Sequence, residues 1–189
     1  MVRSRKPPRI VAVSSADDIL PEYAGTPIAS LLRYHNLGEP LPPAYDRPVL
    51  LVGMCMDHRK VLTIPNEFAY VLRAAGANLR DSSFEISFAV AVGGVSAIAL
   101  VGHTDCGMVD VTQKRELFVN GLVERAGWDA AKAARHFDRS AHHYEISDPV
   151  QFTVGEAKRL QRQYPRLLIA PLLYNVENDR IAQIDTSVR

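Results

Sequence analysis

The sequence predicts an α/β protein with a mainly parallel β-sheet flanked by helices. Residues 47–54, 97–102 and 167–174 are continuous apolar runs, which are typical of strands buried on both faces of a parallel sheet. Segments with helical periodicity lie between these runs. Alternating strands and helices favour parallel pairing, and in such sheets functional side chains gather in the loops at the carboxyl ends of the strands.

The N-terminal part, residues 1–47, is rich in proline and charge and is predicted to form an arm around one short helix. Thr26 is a suitable N-cap and Pro27 a suitable first helical residue, and apolar residues follow at positions 28, 31 and 32. The apolar face of this helix must pack either on its own domain or on a partner subunit. The sequence leaves both options open.

The remaining elements follow from shorter signals. Residues 68–73 are predicted to form a second strand, although their periodicity also permits a helix. Ser82 and Glu85 form the pattern of a capping box, which opens a helix that Gly93 and Gly94 close. Further helices are predicted over residues 116–126, 130–137 and 149–164, and a final strand over 180–184 follows a turn at Asn178 and Asp179.

Length and composition indicate one globular domain over residues 1–189. The chain has 47% hydrophobic and 23% charged residues and a formal net charge of +1, so neither disorder nor a nucleic-acid partner is indicated. No apolar run is long enough to predict a membrane span, and the first residues do not resemble a secretory signal. We therefore expect a cytoplasmic protein without membrane contact, in which thiols stay reduced.

The two cysteines of the chain lie in two polar motifs that each follow a predicted strand. Cys55 and Asp57 follow the first strand, and His103 and Cys106 follow the strand over residues 97–102. If these strands are neighbours, the four side chains can converge. Two thiolates and an imidazole suit zinc, and three such ligands with one replaceable position are typical of a catalytic site. A structural zinc, or buried cysteines that act as small apolar residues, are the alternatives.

The pattern Cys55-x-Asp57-x-Arg59, followed by His103-x-x-Cys106, resembles the β-class carbonic anhydrases. The resemblance covers roughly residues 48–110. It implies a β-carbonic-anhydrase-like fold in which Cys55, His103 and Cys106 ligate Zn²⁺, with no other cofactor. It also implies that zinc-bound hydroxide reversibly hydrates carbon dioxide to bicarbonate and a proton. Family members associate as dimers or multiples of dimers, so the resemblance implies a homodimer or a higher homo-oligomer.

Asp57 and Arg59 would form the family's catalytic dyad, and the dyad also has a physical reason. A carboxylate two residues from a zinc thiolate can become a metal ligand itself and close the site, unless a cation holds it away. Arg59 is placed to do this, which would leave Asp57 ionised and aimed at the zinc-bound hydroxide. Asp57 would then ligate the metal only in a closed site. The alternative for Arg59 is a surface charge.

Several positions depart from the family or have weaker assignments. His58 stands where the family usually has a small hydroxyl residue, and Ala74 stands where it usually has asparagine. His58 is a candidate proton shuttle, with an ordinary exposed histidine as the alternative. Asp105 is a candidate for orienting the second loop. Tyr70 and Phe88 are candidates for lining an apolar pocket, with core packing as the alternative for Phe88, and three histidines are expected at the surface of a polar loop, namely His136, His142 and His143.

Three functions therefore stay open. The first is carbonic anhydrase, and the second is hydrolysis of carbon disulfide or carbonyl sulfide, which enzymes of the same fold perform with the same ligands. The third is a zinc-binding protein without turnover, which the changes at His58 and Ala74 leave open. The presence of both Asp57 and Arg59 favours an enzyme, because a purely structural zinc has no use for a pair that keeps one position open.

Overall fold

The computed structural model describes residues 7–41, 45–65 and 67–187. One sheet of six strands runs through the molecule in the order β1-β6-β5-β4-β2-β3. The strands β2 to β5 are parallel, whereas β6 pairs antiparallel with β5 and β1 pairs antiparallel with β6. The strands are β1 Arg9–Val11, β2 Leu50–Cys55, β3 Ala69–Ala74, β4 Ala97–His103, β5 Leu168–Asn175 and β6 Arg180–Asp185.

Helices cover both faces of the sheet, and β2 and β4 are buried along their whole length. The helices are α1 Pro27–Leu37, α2 Ser83–Ala91, α3 Arg115–Ala126, α4 Ala130–Tyr144 and α5 Pro149–Gln163. On one face, α1 packs on alternate residues of the central strands such as Leu50 and Val52. On the other face, Ile86 of α2 and Leu160 of α5 pack around Leu51. The continuous apolar runs of the sequence therefore belong to strands with helices on both sides, as predicted.

The helix of the N-terminal arm packs on its own domain. Ile28, Leu31 and Leu32 are fully buried in the core that α1 shares with the sheet. Asn36 fixes the end of α1, because its side-chain amide donates to the Ile181 carbonyl (2.7 Å) and its side-chain oxygen accepts from the Ile181 amide (2.9 Å). Of the two options for the arm, the structure shows packing on the same chain.

Three predictions about helix ends and core packing were wrong. The capping box at Ser82 does not form, because residues 80–82 are themselves a 3₁₀ turn and the Ser82 side chain makes no capping hydrogen bond. The helix predicted to end at residue 137 continues to Tyr144, since Phe137 and Ala141 keep one face buried. Phe88 is 49% exposed, so core packing does not explain it. The short strand β1 was not predicted.

The other predicted elements are confirmed with shifts of a few residues. Residues 68–73, for which a helix was also open, form the strand β3. The turn at Asn178 and Asp179 joins β5 to β6. Within the ranges that the structure describes, no helix has both the length and the apolar character needed to cross a membrane.

Candidate metal centre

Two neighbouring parallel strands bring the predicted ligands together. Cys55 is the last residue of β2 and His103 the last residue of β4, and these strands pair in register from Leu50 with Ala97 to Met54 with Val101. Cys106 follows in the loop after β4. The ligand atoms of Cys55, His103 and Cys106 all lie within 4.8 Å of one another, and all three residues are buried. The predicted convergence is therefore confirmed for these three of the four side chains.

His103 is oriented for metal ligation. Its Nδ1 lies 2.8 Å from the Thr104 carbonyl oxygen, which fits an Nδ1–H donor. Its Nε2 is buried and has no hydrogen-bonding partner among the described residues. A hydrogen bond that holds one ring nitrogen while the other faces two sulfur atoms is the usual arrangement of a metal-ligating histidine.

The thiols of Cys55 and Cys106 lie close enough to alter each other's pKa, and the backbone supports Cys55. A hydrogen bond from the Cys106 thiol lowers the pKa of Cys55, and the same contact raises the pKa of Cys106. The Gly76 amide also donates to Cys55 Sγ at 3.3 Å. Both cysteines are free thiols, and their surroundings include Ile146 and Phe152. This donor set of two sulfurs and one imidazole nitrogen fits zinc.

Asp57 stands beside the ligand cluster and is held by Arg59. Arg59 Nε donates to Asp57 Oδ1 at 3.0 Å, and Arg59 Nη2 donates to Asp57 Oδ2 at 2.8 Å. These hydrogen bonds hold the pKa of Asp57 well below its usual range. Asp57 Oδ2 lies 4.0 Å from His103 Nε2. The carboxylate is thus ionised, adjacent to the cluster and occupied by the guanidinium.

Arg59 also joins the two loops of the site. Its Nη1 donates to Asp105 Oδ2 at 2.6 Å, and its Nη2 donates to the Asp105 carbonyl at 2.7 Å. Asp105 itself adopts a left-handed backbone conformation with φ of 51°. Since Asp105 lies between His103 and Cys106 in sequence, these contacts couple the position of Arg59 to the loop that carries two of the candidate ligands.

The family model described as carbonic anhydrase matches residues 51–183. The chain belongs to the β-carbonic anhydrase family. A comparison with curated protein sequences finds no significant match.

Solved structures of this family share the fold of the chain. A carbonic anhydrase from Streptococcus mutans is 18% identical, with a TM-score of 0.58 over 88% of this chain and 100% of that chain. A β-carbonic anhydrase from Trichomonas vaginalis is 17% identical, with a TM-score of 0.63 over 84% and 96%. An apo carbon disulfide hydrolase is 21% identical, with a TM-score of 0.53 over 87% and 91%.

Apart from Asp105, the weaker candidates of the sequence are not members of the cluster or of the Arg59 network. His58 is exposed to solvent. Tyr70 packs against the core that α2 and α5 form with the sheet, next to Gly93. Phe88 lies on the exposed side of α2. His136, His142 and His143 belong to α4 and not to a loop, and His143 Nε2 lies 3.1 Å from Asp81 Oδ2.

Sequence reasoning missed Lys60 and Tyr174. Lys60 directly follows the first motif, yet only 4% of it is exposed. Tyr174 is fully buried at the end of β5, where its hydroxyl accepts from the Val61 amide at 3.2 Å and donates to Asp179 Oδ1 at 2.8 Å. A lysine beside charged residues ordinarily indicates a solvated loop, so no local signal indicated that this one is buried.

Proposed function

We propose that the chain is a zinc-dependent carbonic anhydrase that reversibly hydrates carbon dioxide to bicarbonate and a proton. The observation that carries the proposal is the buried cluster of Cys55, His103 and Cys106 beside an Asp57 that Arg59 holds. Membership of the β-carbonic anhydrase family supports it. The three clustered residues would hold the metal, and the partnerless Nε2 of His103 supports this ligand set.

Zinc in such a site lowers the pKa of water to about 7 and thus supplies a nucleophile at neutral pH. The side chains of the protein would orient the reacting groups around the metal. Asp57 stays ionised because Arg59 donates to both of its oxygens, so it remains a hydrogen-bond acceptor next to the cluster at every working pH. The same two hydrogen bonds keep its carboxylate from becoming a fourth ligand. Apolar residues, including Ile146 and Phe152, pack with the two thiols and give the cluster an apolar surrounding.

Hydrolysis of carbon disulfide or carbonyl sulfide is the second candidate. A carbon disulfide hydrolase is among the similar folds, at a TM-score of 0.53, and the same donor set would serve either substrate. A zinc-binding protein without turnover is less favoured, because the intact pair of Asp57 and Arg59 has a use only where one position of the metal must stay replaceable. The free thiols fit a reducing compartment, and we propose the cytoplasm.

We also propose that the protein is a homodimer or a larger homo-oligomer. Phe84 and Phe88 of α2 and Val92 at its C-cap recur at every fourth position and are 76%, 49% and 69% exposed. Side chains four residues apart share one face of a helix, and soluble proteins seldom leave such apolar stripes in water. A second copy of the chain is the occupant that we propose for this apolar stripe of α2.

Stopped-flow measurement of carbon dioxide hydration, with zinc content determined on the same sample, tests the main proposal. We expect about one zinc per chain, because the described cluster offers one set of three ligands. Turnover of carbon disulfide or carbonyl sulfide without hydration of carbon dioxide would support the second candidate. Bound zinc with no turnover of any of the three substrates would refute both.

A further inference from the structure

Lys60 is a buried cation whose charge the described residues do not pair. Only 4% of the residue is exposed, and its Nζ makes no hydrogen bond to any residue that the structure describes. Burying an ammonium without a partner is costly, so such a group ordinarily persists only where a function needs it. The loop that carries it is fixed on both sides. Arg59 is bound to Asp57 and Asp105, and the Val61 amide is bound to Tyr174.

The groups in electrostatic range of Lys60 are those of the metal centre. The thiols of Cys55 and Cys106 and the carboxylate of Asp57 favour its charged form, whereas Arg73 disfavours it. Burial is the largest influence and lowers the pKa of Lys60 to about 8. A bound anion would itself favour the charged form of this amine, because an opposite charge nearby stabilises an ammonium.

The charges at the centre leave Lys60 available for an anion. Two thiolates would balance a divalent metal, and an imidazole ligand adds no charge. The carboxylates of Asp57 and Asp105 both accept from Arg59. A second guanidinium, that of Arg73, donates to the Asp57 carbonyl at 3.5 Å. Two carboxylates are thus matched by two guanidinium groups. Carbon dioxide is uncharged, but bicarbonate brings one negative charge into a buried site. Among the groups described here, Lys60 is the cation of the site that no hydrogen bond engages.

We propose that Lys60 is the anion-binding residue of this centre, which holds bicarbonate by its charge and by a hydrogen bond from Nζ. This inference rests on the proposed function for the identity of the anion. It adds to that function a residue that recognises the charged substrate and that belongs neither to the candidate ligands nor to the pair of Asp57 and Arg59. A charge-assisted hydrogen bond in a buried site is strong enough to dominate the affinity for a small anion.

Azide, a small unreactive anion, is the probe for the test. It is titrated by calorimetry into zinc-loaded wild-type protein and into Lys60→Met, which keeps the length and apolar stem of the side chain. We expect Lys60→Met to bind azide about tenfold more weakly, as loss of a charged hydrogen bond implies. The same variant should have a raised KM for bicarbonate in the dehydration direction, with the KM for carbon dioxide little changed. Lys158→Met, on the exposed side of α5, is the matched control and should bind azide like wild type.

Equal azide affinity in wild type and Lys60→Met would overturn the inference, and so would wild-type protein that does not bind azide. If wild type does not hydrate carbon dioxide but Lys60→Met still binds azide more weakly, the proposed function falls and anion binding by Lys60 stands. If Lys60→Met does not load zinc, the inference is tested in isotope-labelled wild-type protein by following the ¹³Cε and ¹⁵Nζ resonances of Lys60 during an azide titration. A shift of these resonances on adding azide, with Lys158 unmoved, supports the inference, and no shift of Lys60 overturns it.

Discussion

Arg59 donates two hydrogen bonds to the Asp57 carboxylate, from Nε to Oδ1 at 3.0 Å and from Nη2 to Oδ2 at 2.8 Å. Asp57 Oδ2 lies 4.0 Å from His103 Nε2. The carboxylate is therefore close to the candidate ligands but engaged elsewhere. Under the proposed function, this contact between residues two positions apart would keep the fourth position of the metal replaceable, as a catalytic site requires and a structural site does not.

Removal of the Arg59 guanidinium should release Asp57 onto the metal. We expect Arg59→Ala to retain about one zinc per chain, since the three clustered ligands are unchanged. Its kcat/KM should fall at least about tenfold, which corresponds to about 1.4 kcal/mol of transition-state stabilisation. Zinc content and stopped-flow kinetics on the same preparation measure both quantities.

Arg115→Ala provides the matched control for that variant. Arg115 makes the same type of bidentate contact, with Nε to Asp138 Oδ1 at 2.7 Å and Nη2 to Asp138 Oδ2 at 2.9 Å, on the surface between α3 and α4. Its loss should leave kcat/KM unchanged. Full activity of Arg59→Ala would contradict the proposed role of the dyad.

Gly102 allows α5 to approach the strand that ends in His103. A Cβ at this position would overlap the Thr153 hydroxyl, and Thr153 is itself buried and bonded to the Pro149 carbonyl. We expect Gly102→Ala to lower the free energy of unfolding by roughly 1–3 kcal/mol, as overpacking does. Displacement of the adjacent His103 should also weaken zinc binding. Urea denaturation and a competitive chelator titration measure the two effects.

Gly155→Ala is the control for Gly102→Ala, because a Cβ at Gly155 meets open space on the same helix. Alanine is the better helix former, so this variant should be as stable as wild type or more stable by up to about 1 kcal/mol. Equal stability of Gly102→Ala and wild type would show that Thr153 can move aside without cost.

Asp185 should make stability depend on pH in the acid range. The carboxylate is buried and accepts from the Ser187 hydroxyl (2.7 Å), the Ser187 amide (2.9 Å) and Arg9 (3.0 Å). The Ser187 hydroxyl is the main cause of its lowered pKa. Since the folded pKa lies below the ordinary value of 3.8, the stabilisation is complete above pH 3.8 and is lost as the pH falls through the folded pKa.

Asp185→Asn should therefore be less stable than wild type at pH 7, by about 1–2 kcal/mol for a charge-assisted hydrogen bond. The difference should shrink as the pH is lowered from about 4, because wild type then loses the ionised carboxylate. Urea denaturation of both proteins at a series of pH values measures this difference in the free energy of unfolding. Asp17→Asn, at an exposed position, should show no such trend, and a pH-independent difference for Asp185→Asn would contradict the assignment.

The exposed stripe on α2 should determine oligomeric state. We expect Phe88→Glu to convert a dimer or larger assembly to smaller species, because it places a charge among Phe84 and Val92. Size-exclusion chromatography with light scattering measures the mass. Leu117→Glu, at a residue of α3 that is 70% exposed, is the control and should leave the mass unchanged. A monomeric wild type would remove the basis for the proposed dimer.

Much of the fold, and the convergence of Cys55, His103 and Cys106, could be predicted, because each depends on local pattern. Buried parallel strands produce continuous apolar runs, and the candidate ligands Cys55 and His103 are the residues at which two such runs end. Once the strands are parallel neighbours, their carboxyl ends share one edge of the sheet. The convergence at the metal centre then needs no further information.

The features that could not be predicted depend on contacts between distant parts of the chain. Lys60 is buried in a loop whose Val61 amide is bound to Tyr174, more than a hundred positions away. The strand β1 has three residues and exists through its pairing with β6 near the other end of the sequence. The helix α4 continues past Phe137 because Phe137 and Ala141 are buried, which the polar residues around them do not indicate. Tertiary contacts override local pattern at each of these places.

Hydration of carbon dioxide by the purified wild-type protein, with zinc measured on the same sample, tests the central claim most directly. The site predicts about one zinc per chain and turnover that persists from neutral to alkaline pH, since Arg59 keeps Asp57 ionised and engaged. Zinc-loaded protein that fails to hydrate carbon dioxide anywhere between about pH 6.5 and 9, the range in which a zinc-activated water ionises, would contradict the account.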